Sequence, residues 1–314
     1  MSELIIISGA TASGKTAVAL SLAEKIGGEI ISADSMQVYR GMDIGTAKPT
    51  PAELSKTPHH LVSIIDPSVP FSAAEFQSRA TVAVAEIFSR GRVPIIVGGT
   101  GFYINALLYG VEFSKASEGL PEDKSPEDKL REEFAAIAAK NGAEFLHKKL
   151  AAVDPDYAAT LHANNVKRVA RALAYCEVTG KLFSLHNRAQ KEKPPLYNAA
   201  FFKLSLPREA LYARINSRTQ AMFDGGIVEE TRNLIAAGFG KTLAPMQGIG
   251  YKETVQYLAG EISLDGAIAA TAQATRNYAK RQETWLRNQS PNAHEIFAHE
   301  KTADEIAEEI ATRI

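Results

Sequence analysis

Apolar residues in the first third of the chain form short continuous runs that alternate with longer amphipathic stretches. The runs are rich in Ile and Val, and each ends at a polar or glycine-containing turn, which is typical of buried parallel strands. Strand and helix repeated in this order predict an α/β fold with a doubly wound parallel sheet, whose ligands bind at the carboxyl ends of the strands. The predicted strands are Leu4–Ile7, Glu29–Ser32, Leu61–Ile65 and Val93–Val97, and the clearest helices are Thr16–Ile26 and Ala73–Arg90.

Helical spacing replaces the strand-like runs from about residue 115. Ser125, followed by Pro126 and two acidic residues, is typical of a helix N-terminus. The helices predicted beyond it are Leu130–Ala152 and Asn164–Thr179. The next strand-like run is Ala200–Leu206, after which the chain is again mainly helical. We therefore predict an α/β core formed by residues 1–114 and 199–314, and a helical insertion domain at 115–198.

The composition is that of a globular protein with a substantial core. Of the 314 residues, 45% are apolar, which is enough for one large domain or two of medium size. The one cysteine, Cys176, excludes an internal disulfide and a multi-cysteine zinc site, and it fits a reducing compartment. The sequence shows neither the pattern of a signal peptide nor an apolar run of about 20 residues that could span a bilayer. We expect a cytoplasmic, monomeric protein without a membrane partner.

The net charge of −1 conceals two local clusters of basic residues. Because phosphate backbones respond to local positive surface, these clusters keep a nucleic acid open as a partner. Scattered solvated charges explain the same pattern equally well on charge alone. The first cluster holds Lys167, Arg168, Arg171, Lys181, Arg188, Lys191 and Lys193, and the second holds Arg276, Lys280, Arg281 and Arg287.

A phosphate-binding motif, G-x-x-x-x-G-K-[ST], stands between the first predicted strand and the first predicted helix. Its residues are Gly9, Ala10, Thr11, Ala12, Ser13, Gly14, Lys15 and Thr16. Backbone N–H groups of such a loop turn toward phosphate oxygens at the positive end of the helix. The Lys15 ammonium can reach the outer phosphates, and the Thr16 hydroxyl suits a Mg²⁺ ligand. The motif predicts a P-loop NTPase-like core that binds a di- or triphosphate, and by itself it favours ATP.

Other predicted strand ends carry candidate chemistry. Asp34 follows the second strand, where a carboxylate could bind Mg²⁺ or act as a general base, although a helix N-cap is an alternative. Asp66 follows Leu61–Ile65 in the manner of a Walker-B aspartate, but Pro67 makes a turn equally consistent. Glycines at Gly98–Gly101 would let backbone and the Thr100 hydroxyl approach a ligand closely.

Several motifs together are similar to those of the tRNA dimethylallyltransferases. These are the P-loop itself, Ile31–Pro49, Val97–Tyr103, Asn165–Ala172, Gly248–Glu253 and Ala279–Arg287, which together extend over most of the chain. Three positions depart from the family pattern: Ala10 where proline is usual, Asn165 where aspartate is usual, and Gly248 where alanine is usual. These are small changes in loops or on helix surfaces.

The resemblance implies transfer of a dimethylallyl group from dimethylallyl diphosphate to N6 of the adenosine 3′ of the anticodon, in tRNAs that read codons beginning with U. It implies that Asp34 orients and deprotonates the amine and that Thr100 lies near the bridging oxygen. It also implies Mg²⁺ as cofactor and diphosphate binding by Gly9–Thr16. Arg218, on a later predicted helix, is expected to face the same diphosphate. The implied contacts with the tRNA anticodon stem-loop are Asp34, Ser35, Met36, Gln37, Thr100, Lys167, Arg168, Val169, Ala170, Arg171, Gln247, Gly248, Ile249, Gly250, Tyr251, Lys252, Lys280, Arg281, Gln282, Trp285 and Arg287.

Some residues have simpler interpretations, and some alternative functions stay open. Tyr278 and Trp285 are expected to belong to the core more often than to a stacking surface. Met222 and Phe223 are interpreted as packing residues, and His59–His60 as surface or structural. The alternatives are a small-molecule kinase, a prenyltransferase acting on free AMP and a non-enzymatic RNA-binding regulator. The basic insertion argues against the prenyltransferase acting on free AMP.

Overall fold

The computed structural model describes residues 4–113, 125–290 and 292–314. They divide into two compact units. The first ends at Gly110 and resumes at Leu196, and the second runs from Val111 to Pro195. The sequence predicted an insertion at 115–198, and the boundary between residues 114 and 115 lies outside the described residues.

The first unit is built on one six-stranded sheet in which neighbouring strands are all parallel. The strand order is β3-β2-β4-β1-β5-β6, so the chain winds outward from β1 in both directions. The predicted doubly wound α/β class is therefore confirmed. The strands are β1 (Leu4–Gly9), β2 (Gly28–Ser32), β3 (His59–His60), β4 (Val93–Gly98), β5 (Ala199–Ser205) and β6 (His294–Phe297).

Helices cover both faces of this sheet. Ile5 and Ile7 pack in one apolar cluster with Leu22, whereas Ile6 packs in a second cluster with Phe76 on the opposite face. Because successive side chains of a strand alternate between faces, a strand covered on both sides is apolar throughout. The helices of the first unit are α1 (Lys15–Ile26), α2 (Pro51–Lys56), α3 (Ala73–Ser89), α4 (Gly101–Tyr109), α10 (Arg208–Asp224), α11 (Ile227–Ala236), α12 (Tyr251–Leu258), α13 (Leu264–Gln289) and α14 (Ala303–Ala311).

All regular elements among the described residues of the second unit are helices. Its helices are α5 (Pro126–Asn141), α6 (Ala143–Val153), α7 (Pro155–Ala158), α8 (Val166–Thr179) and α9 (Phe183–Glu192). The predicted start at Ser125 is confirmed, since its side chain accepts a hydrogen bond from the Asp128 N–H. The single helix predicted over Leu130–Ala152 is wrong, because Gly142 adopts a φ of 91° and separates α5 from α6.

Two strand predictions also need correction. Leu61–Ile65 is not a strand, because Leu61 and Ser63 adopt φ values of 63° and 53°, which an extended chain cannot contain. The segment pairs instead with the loop after β2, where the Ile64 N–H donates to the Val38 carbonyl at 2.8 Å. Strand β6 was not predicted, because only its Ile296 is buried and its sequence lacks a continuous apolar run.

Gly98 offers a test of how tightly β4 fits against the turn after β2. A Cβ at this position would lie 2.1 Å from the Ala33 carbonyl oxygen, which is backbone and cannot move aside cheaply. Gly98→Ala is expected to lower the free energy of unfolding by about 1–3 kcal/mol in urea denaturation. Gly240→Ala is the matched control, because a Cβ there meets nothing within 4 Å. Equal stability of Gly98→Ala and the wild type would contradict the packing.

Candidate active site

Three strand ends that carry candidate chemistry are neighbours in the sheet. Strands β2, β4 and β1 are adjacent, so Asp34, the Gly98–Thr100 turn and the P-loop share one edge. The Ser8 hydroxyl donates to the Gly98 carbonyl at 2.8 Å, which ties the P-loop strand to β4. The Ser35 N–H donates to Thr100 Oγ1 at 3.3 Å, which ties β4 to the turn after β2. The site predicted from three separated segments is thus one continuous edge.

The P-loop turns back on itself before α1 begins. Gly14 caps the helix with a φ of 95°, in the left-handed region that glycine adopts without strain. Lys15 Nζ donates to the carbonyls of Gly9 and Ala10 at 3.0 and 2.7 Å, so the ammonium is held across the loop. The buried Ser13 hydroxyl makes no hydrogen bond with the described residues, which leaves a donor within the loop.

Two cations flank the loop in a desolvated setting. Burial, with a smaller contribution from the nearby Arg218 cation, lowers the pKa of Lys15 to about 8, although Asp34 opposes this change. Burial also lowers the pKa of Arg218, and Asp34 again acts in the opposite direction. Arg218 Nη1 lies 3.4 Å from Thr11 Oγ1. Two buried cations without a full complement of anions favour binding of a diphosphate.

Asp34 presents a carboxylate beside this cationic loop. Its Oδ1 accepts a hydrogen bond from the Met36 N–H at 2.9 Å, which fixes the side chain in a local turn. Thr100 and Tyr278 complete this side of the site, since the Tyr278 phenol lies beside the Thr100 and Gln282 side chains. Burial raises the pKa of Tyr278 to about 12, so the phenol keeps its proton. Tyr278 therefore belongs to the site and is more than a packing residue.

Gln282 connects the P-loop with the glycine turn. Its Oε1 accepts from the Thr11 N–H at 2.7 Å, and its Nε2 donates to the Gly99 carbonyl at 3.0 Å. Gln282 is only 6% exposed, so its amide joins the two loops inside the protein, and its predicted contact with tRNA stays a prediction. One turn later, Trp285 packs so closely on Gly101 that a Cβ there would lie 2.2 Å from the indole.

A cavity of about 300 Å³ opens beside the P-loop and extends between α10 and α13. Arg218 and Asp34 lie in its polar part, while Ile215, Met222 and Ile249 form apolar wall. Met222 packs against the core as expected and also lines this cavity, whereas Phe223 is buried in the core. The predicted site residues that line this cavity are Thr11, Ala12, Asp34, Ser35, Met36, Arg218, Gln247, Gly248, Ile249, Tyr251 and Arg281.

A smaller cavity of about 40 Å³, called here the small cavity, lies on the other side of the P-loop lysine. Lys15, Thr16 and Asp34 line it together with side chains of β2 and β3. Among the described residues, no group of three or more His, Cys, Asp or Glu side chains could by itself hold a metal ion. Mg²⁺ requires less, because it keeps several waters and takes one or two protein oxygens together with phosphate oxygens. The Thr16 hydroxyl and the Asp34 carboxylate fit such an ion.

The predicted RNA-binding residues do not all lie at the surface. Lys167, Arg168 and Arg171 are exposed on α8 of the second unit. Val169 and Ala170 between them are 0% and 2% exposed, so their side chains pack within that unit, and their predicted contact with tRNA stays a prediction. In the first unit, Lys252, Lys280, Arg281, Arg287 and Gln247 are exposed.

Three other predicted RNA contacts also have internal partners. Gln37 Oε1 accepts from the Ser32 hydroxyl at 2.9 Å, and its Nε2 lies 3.3 Å from the Ala47 carbonyl. Tyr251 is fully buried, and its hydroxyl donates to Glu230 at 2.6 Å. Gly250 adopts a φ of 94° at the start of α12, and its backbone is likewise buried. Of these residues, Tyr251 lines the cavity beside α10 and α13, and Gln37 lines the small cavity.

Asp66 has a structural role. Its Oδ1 accepts hydrogen bonds from the N–H and hydroxyl of Ser68 at 2.9 and 2.6 Å. These bonds lower the pKa of Asp66. The carboxylate does not line the cavity beside α10 and α13, the small cavity or a third cavity that contains Lys15 and Thr16. The turn interpretation, rather than the Walker-B one, is therefore confirmed.

Glu230 supports the site and was not found by sequence reasoning. Its carboxylate accepts hydrogen bonds from the backbone N–H groups of Asp43, Ile44 and Gly45 at 2.9, 2.8 and 3.1 Å. The loop fixed in this way carries Gly45 and Thr46 into the larger cavity. An acidic residue in the first turn of a helix is common, so the sequence held no signal for this role.

Comparisons with known proteins agree on one family. A family model described as IPP transferase matches residues 37–289. The chain is 49% identical over 289 residues to the tRNA dimethylallyltransferase of Geobacillus thermodenitrificans (strain NG80-2), covering 92% of this chain and 89% of the relative. It is 47% identical over 288 residues to the tRNA dimethylallyltransferase of Geobacter metallireducens, covering 92% and 90%.

Solved structures give the same picture. The full-length tRNA isopentenylpyrophosphate transferase from Bacillus halodurans superposes with a TM-score of 0.72 at 40% identity, covering 100% of this chain and 95% of that one. A eukaryotic dimethylallyltransferase acting on tRNA superposes with a TM-score of 0.79 at 27% identity, covering 96% and 75%. No helix within the described ranges has the length and apolar character needed to cross a membrane.

Proposed function

We propose that this chain, which belongs to the IPP transferase family, transfers a dimethylallyl group from dimethylallyl diphosphate to N6 of the adenosine 3′ of the anticodon. The family makes it a tRNA-modifying prenyltransferase. In the reaction a bond forms between N6 and C1 of the prenyl group while the bond from C1 to the bridging oxygen breaks. Diphosphate leaves, and the amine loses one proton.

The larger cavity is the observation that carries the proposal. Its polar lining includes P-loop residues and Arg218, which suit a diphosphate. Its apolar lining includes the side chains of Ile215, Met222 and Ile249. A prenyl diphosphate needs both surfaces, one anion-binding and one apolar. Asp34 lines the same cavity, so its carboxylate shares one space with both surfaces.

Asp34 is suited to receive the amine. With Oδ1 held by the Met36 N–H, the carboxylate is oriented and can accept a hydrogen bond from the adenine N6. The adenine must leave its stack in the anticodon loop to reach this group. Thr100, which contacts the Ser35 N–H and Tyr278, is placed beside Asp34 to hydrogen-bond the departing oxygen.

Lys15, Arg218 and the loop N–H groups stabilise the charge that develops on the leaving diphosphate. Mg²⁺, held by Thr16 and Asp34, would neutralise part of the same charge when bound. The polar lining of the small cavity supports this assignment. With tRNA as its substrate, the enzyme is proposed to act in the cytoplasm as a monomer.

Calorimetry with several ligands tests the proposal against the kinase alternative. Dimethylallyl diphosphate should bind at least tenfold more tightly than inorganic pyrophosphate, because each buried CH₂ contributes about 0.8 kcal/mol. ATP has no group that suits the apolar wall, so it should bind more weakly than the prenyl diphosphate. Tighter binding of ATP than of dimethylallyl diphosphate would instead favour a nucleotide-dependent kinase.

The exposed basic residues of α8 are expected to contact tRNA phosphates. Replacing Arg168 and Arg171 together by Ala should weaken tRNA binding and reduce the slope of log K against log salt by about 0.7–0.9 for each lost contact. Filter binding at several salt concentrations measures this slope. Arg79 and Arg232 serve as a control pair of equal charge, since each pairs with a glutamate on its own helix. An unchanged slope in the α8 variant would contradict the phosphate contacts.

A further inference from the structure

His59 in β3 has a ring nitrogen that the protein leaves without a partner. Its Nδ1 lies 2.7 Å from the Thr57 carbonyl oxygen. A carbonyl only accepts, so Nδ1 carries the hydrogen in this contact. Burial lowers the pKa of His59, which keeps the ring neutral and makes Nε2 a hydrogen-bond acceptor. Nε2 is buried, and no hydrogen bond reaches it from any residue the structure describes.

The ring lines the small cavity, which is otherwise polar at several points. Ser32 and Gln37 on this lining are hydrogen-bonded to each other at 2.9 Å. Lys15 directs two of its hydrogens to P-loop carbonyls. Lys15 keeps a third hydrogen and Thr16 lines the same cavity with its hydroxyl, but neither side chain is hydrogen-bonded to His59 Nε2.

A buried acceptor without a donor costs free energy, and native proteins satisfy such atoms with water where space allows. The small cavity measures about 40 Å³. A water needs about 10–15 Å³ by this measure, so the cavity has room for about three. The same cavity is lined by Thr16 and Asp34, the residues that fit a divalent cation.

We propose that the small cavity is the hydration site of the divalent cation, in which His59 Nε2 accepts a hydrogen bond from a water that hydrates the ion. This inference rests on the proposed function, which places the cation at Thr16 and Asp34. His59 is then a positioning residue, because it acts on the ion through water and touches neither the prenyl group nor the adenine. This role for His59 goes beyond the surface or structural one expected from the sequence, while His60 keeps its structural contact with Glu29 at 2.7 Å.

Manganese binding tests the inference without any assay of activity. Mn²⁺ is titrated into the full-length protein with inorganic pyrophosphate, and free Mn²⁺ is followed by electron paramagnetic resonance. His59→Leu, which removes the acceptor, should weaken Mn²⁺ binding at least tenfold, the loss typical of a residue that supports a metal's ligands. His59→Gln, which returns an acceptor at similar reach, should recover most of that loss. Equal Mn²⁺ affinity for His59→Leu and the wild type would overturn the inference.

His60→Gln is the matched control, since it alters the neighbouring residue of β3 without touching the small cavity, and its Mn²⁺ affinity should be that of the wild type. A crystal structure of the wild type with Mn²⁺ and pyrophosphate tests the inference without relying on the folding of any variant. It should show a water within about 2.7–3.2 Å of Nε2 that also contacts the ion, and a cavity without such a water would overturn the inference. Unaltered Mn²⁺ binding in His59→Leu, with normal prenyl transfer by the wild type, would overturn this inference and leave the proposed function intact. Absence of prenyl transfer by the wild type, with the expected loss of Mn²⁺ binding in His59→Leu, would overturn the proposed function alone.

Discussion

Asp34→Asn should lower the rate of prenyl transfer by about 100–10,000-fold, the usual contribution of a positioned general base. Asparagine keeps an oxygen that can accept from the Met36 N–H, so the local turn is retained. What is lost is the ability to take a proton from the adenine amine, and saturating Mg²⁺ in the assay offsets the weaker hold on the ion. Single-turnover transfer from dimethylallyl diphosphate to unmodified tRNA measures the chemical step directly.

Binding of tRNA separates this role from a structural one. Asp34→Asn should bind tRNA with nearly the affinity of the wild type, because the carboxylate acts on the amine during transfer. A parallel loss of tRNA affinity and rate would show instead that Asp34 holds the site together. Gln37→Glu is unsuitable as a control, since Gln37 shares its hydrogen bonds with Ser32 and the Ala47 carbonyl. Asp66→Asn serves better, because that carboxylate binds only within its own turn.

Lys15→Ala should lower kcat/KM for dimethylallyl diphosphate by about 100–1000-fold, comparable to removing one donor from an anion-stabilising site. The lysine lies across the P-loop, and its charge is needed most as the diphosphate departs. Steady-state kinetics at saturating tRNA measure the effect. Lys25→Ala, at the other end of α1, is the control, because Lys25 pairs with Asp304 and Glu308 and should leave kcat/KM unchanged.

The depressed pKa of Lys15, about 8, adds a pH dependence to this prediction. Below pH 8 the ammonium is protonated and attracts the diphosphate, and above pH 8 it becomes neutral in the free enzyme. kcat/KM for dimethylallyl diphosphate should therefore fall about tenfold per pH unit above this value. In Lys15→Arg, kcat/KM should stay constant up to about pH 10, because a guanidinium stays protonated. A decrease in kcat/KM above pH 8 that persists in Lys15→Arg would show that another titrating group causes it.

Local rules predicted much of the fold and the main chemical groups. The P-loop, the strands β1, β2 and β4 and the cap at Ser125 each depend on residues next to one another in the sequence. Asp34 and Thr100 were found for a similar reason, since each follows a strand and parallel strands end at one edge. Composition, motif spacing and family resemblance are enough to predict a feature when the residues that determine it are close together in the sequence.

The features that sequence reasoning missed depend on contacts between distant segments. Gln282 bonds to Thr11 across 271 residues of sequence, and no local pattern distinguishes it from a surface glutamine. Glu230 fixes the loop at Asp43–Gly45 from 185 to 187 residues away. Leu61 looks like a strand residue, yet tertiary packing holds it in a left-handed conformation. Such roles follow from the assembled structure alone.

Labelled dimethylallyl diphosphate and tRNA lacking the modification provide the most direct test of the central claim. The purified protein should place the label on the adenosine 3′ of the anticodon and release one diphosphate for each group transferred. Mapping the labelled nucleotide after digestion gives the position, and an AMP arm of the same assay excludes a free-nucleotide substrate. Consumption of ATP with no label in tRNA would contradict the account and leave the P-loop as that of a kinase.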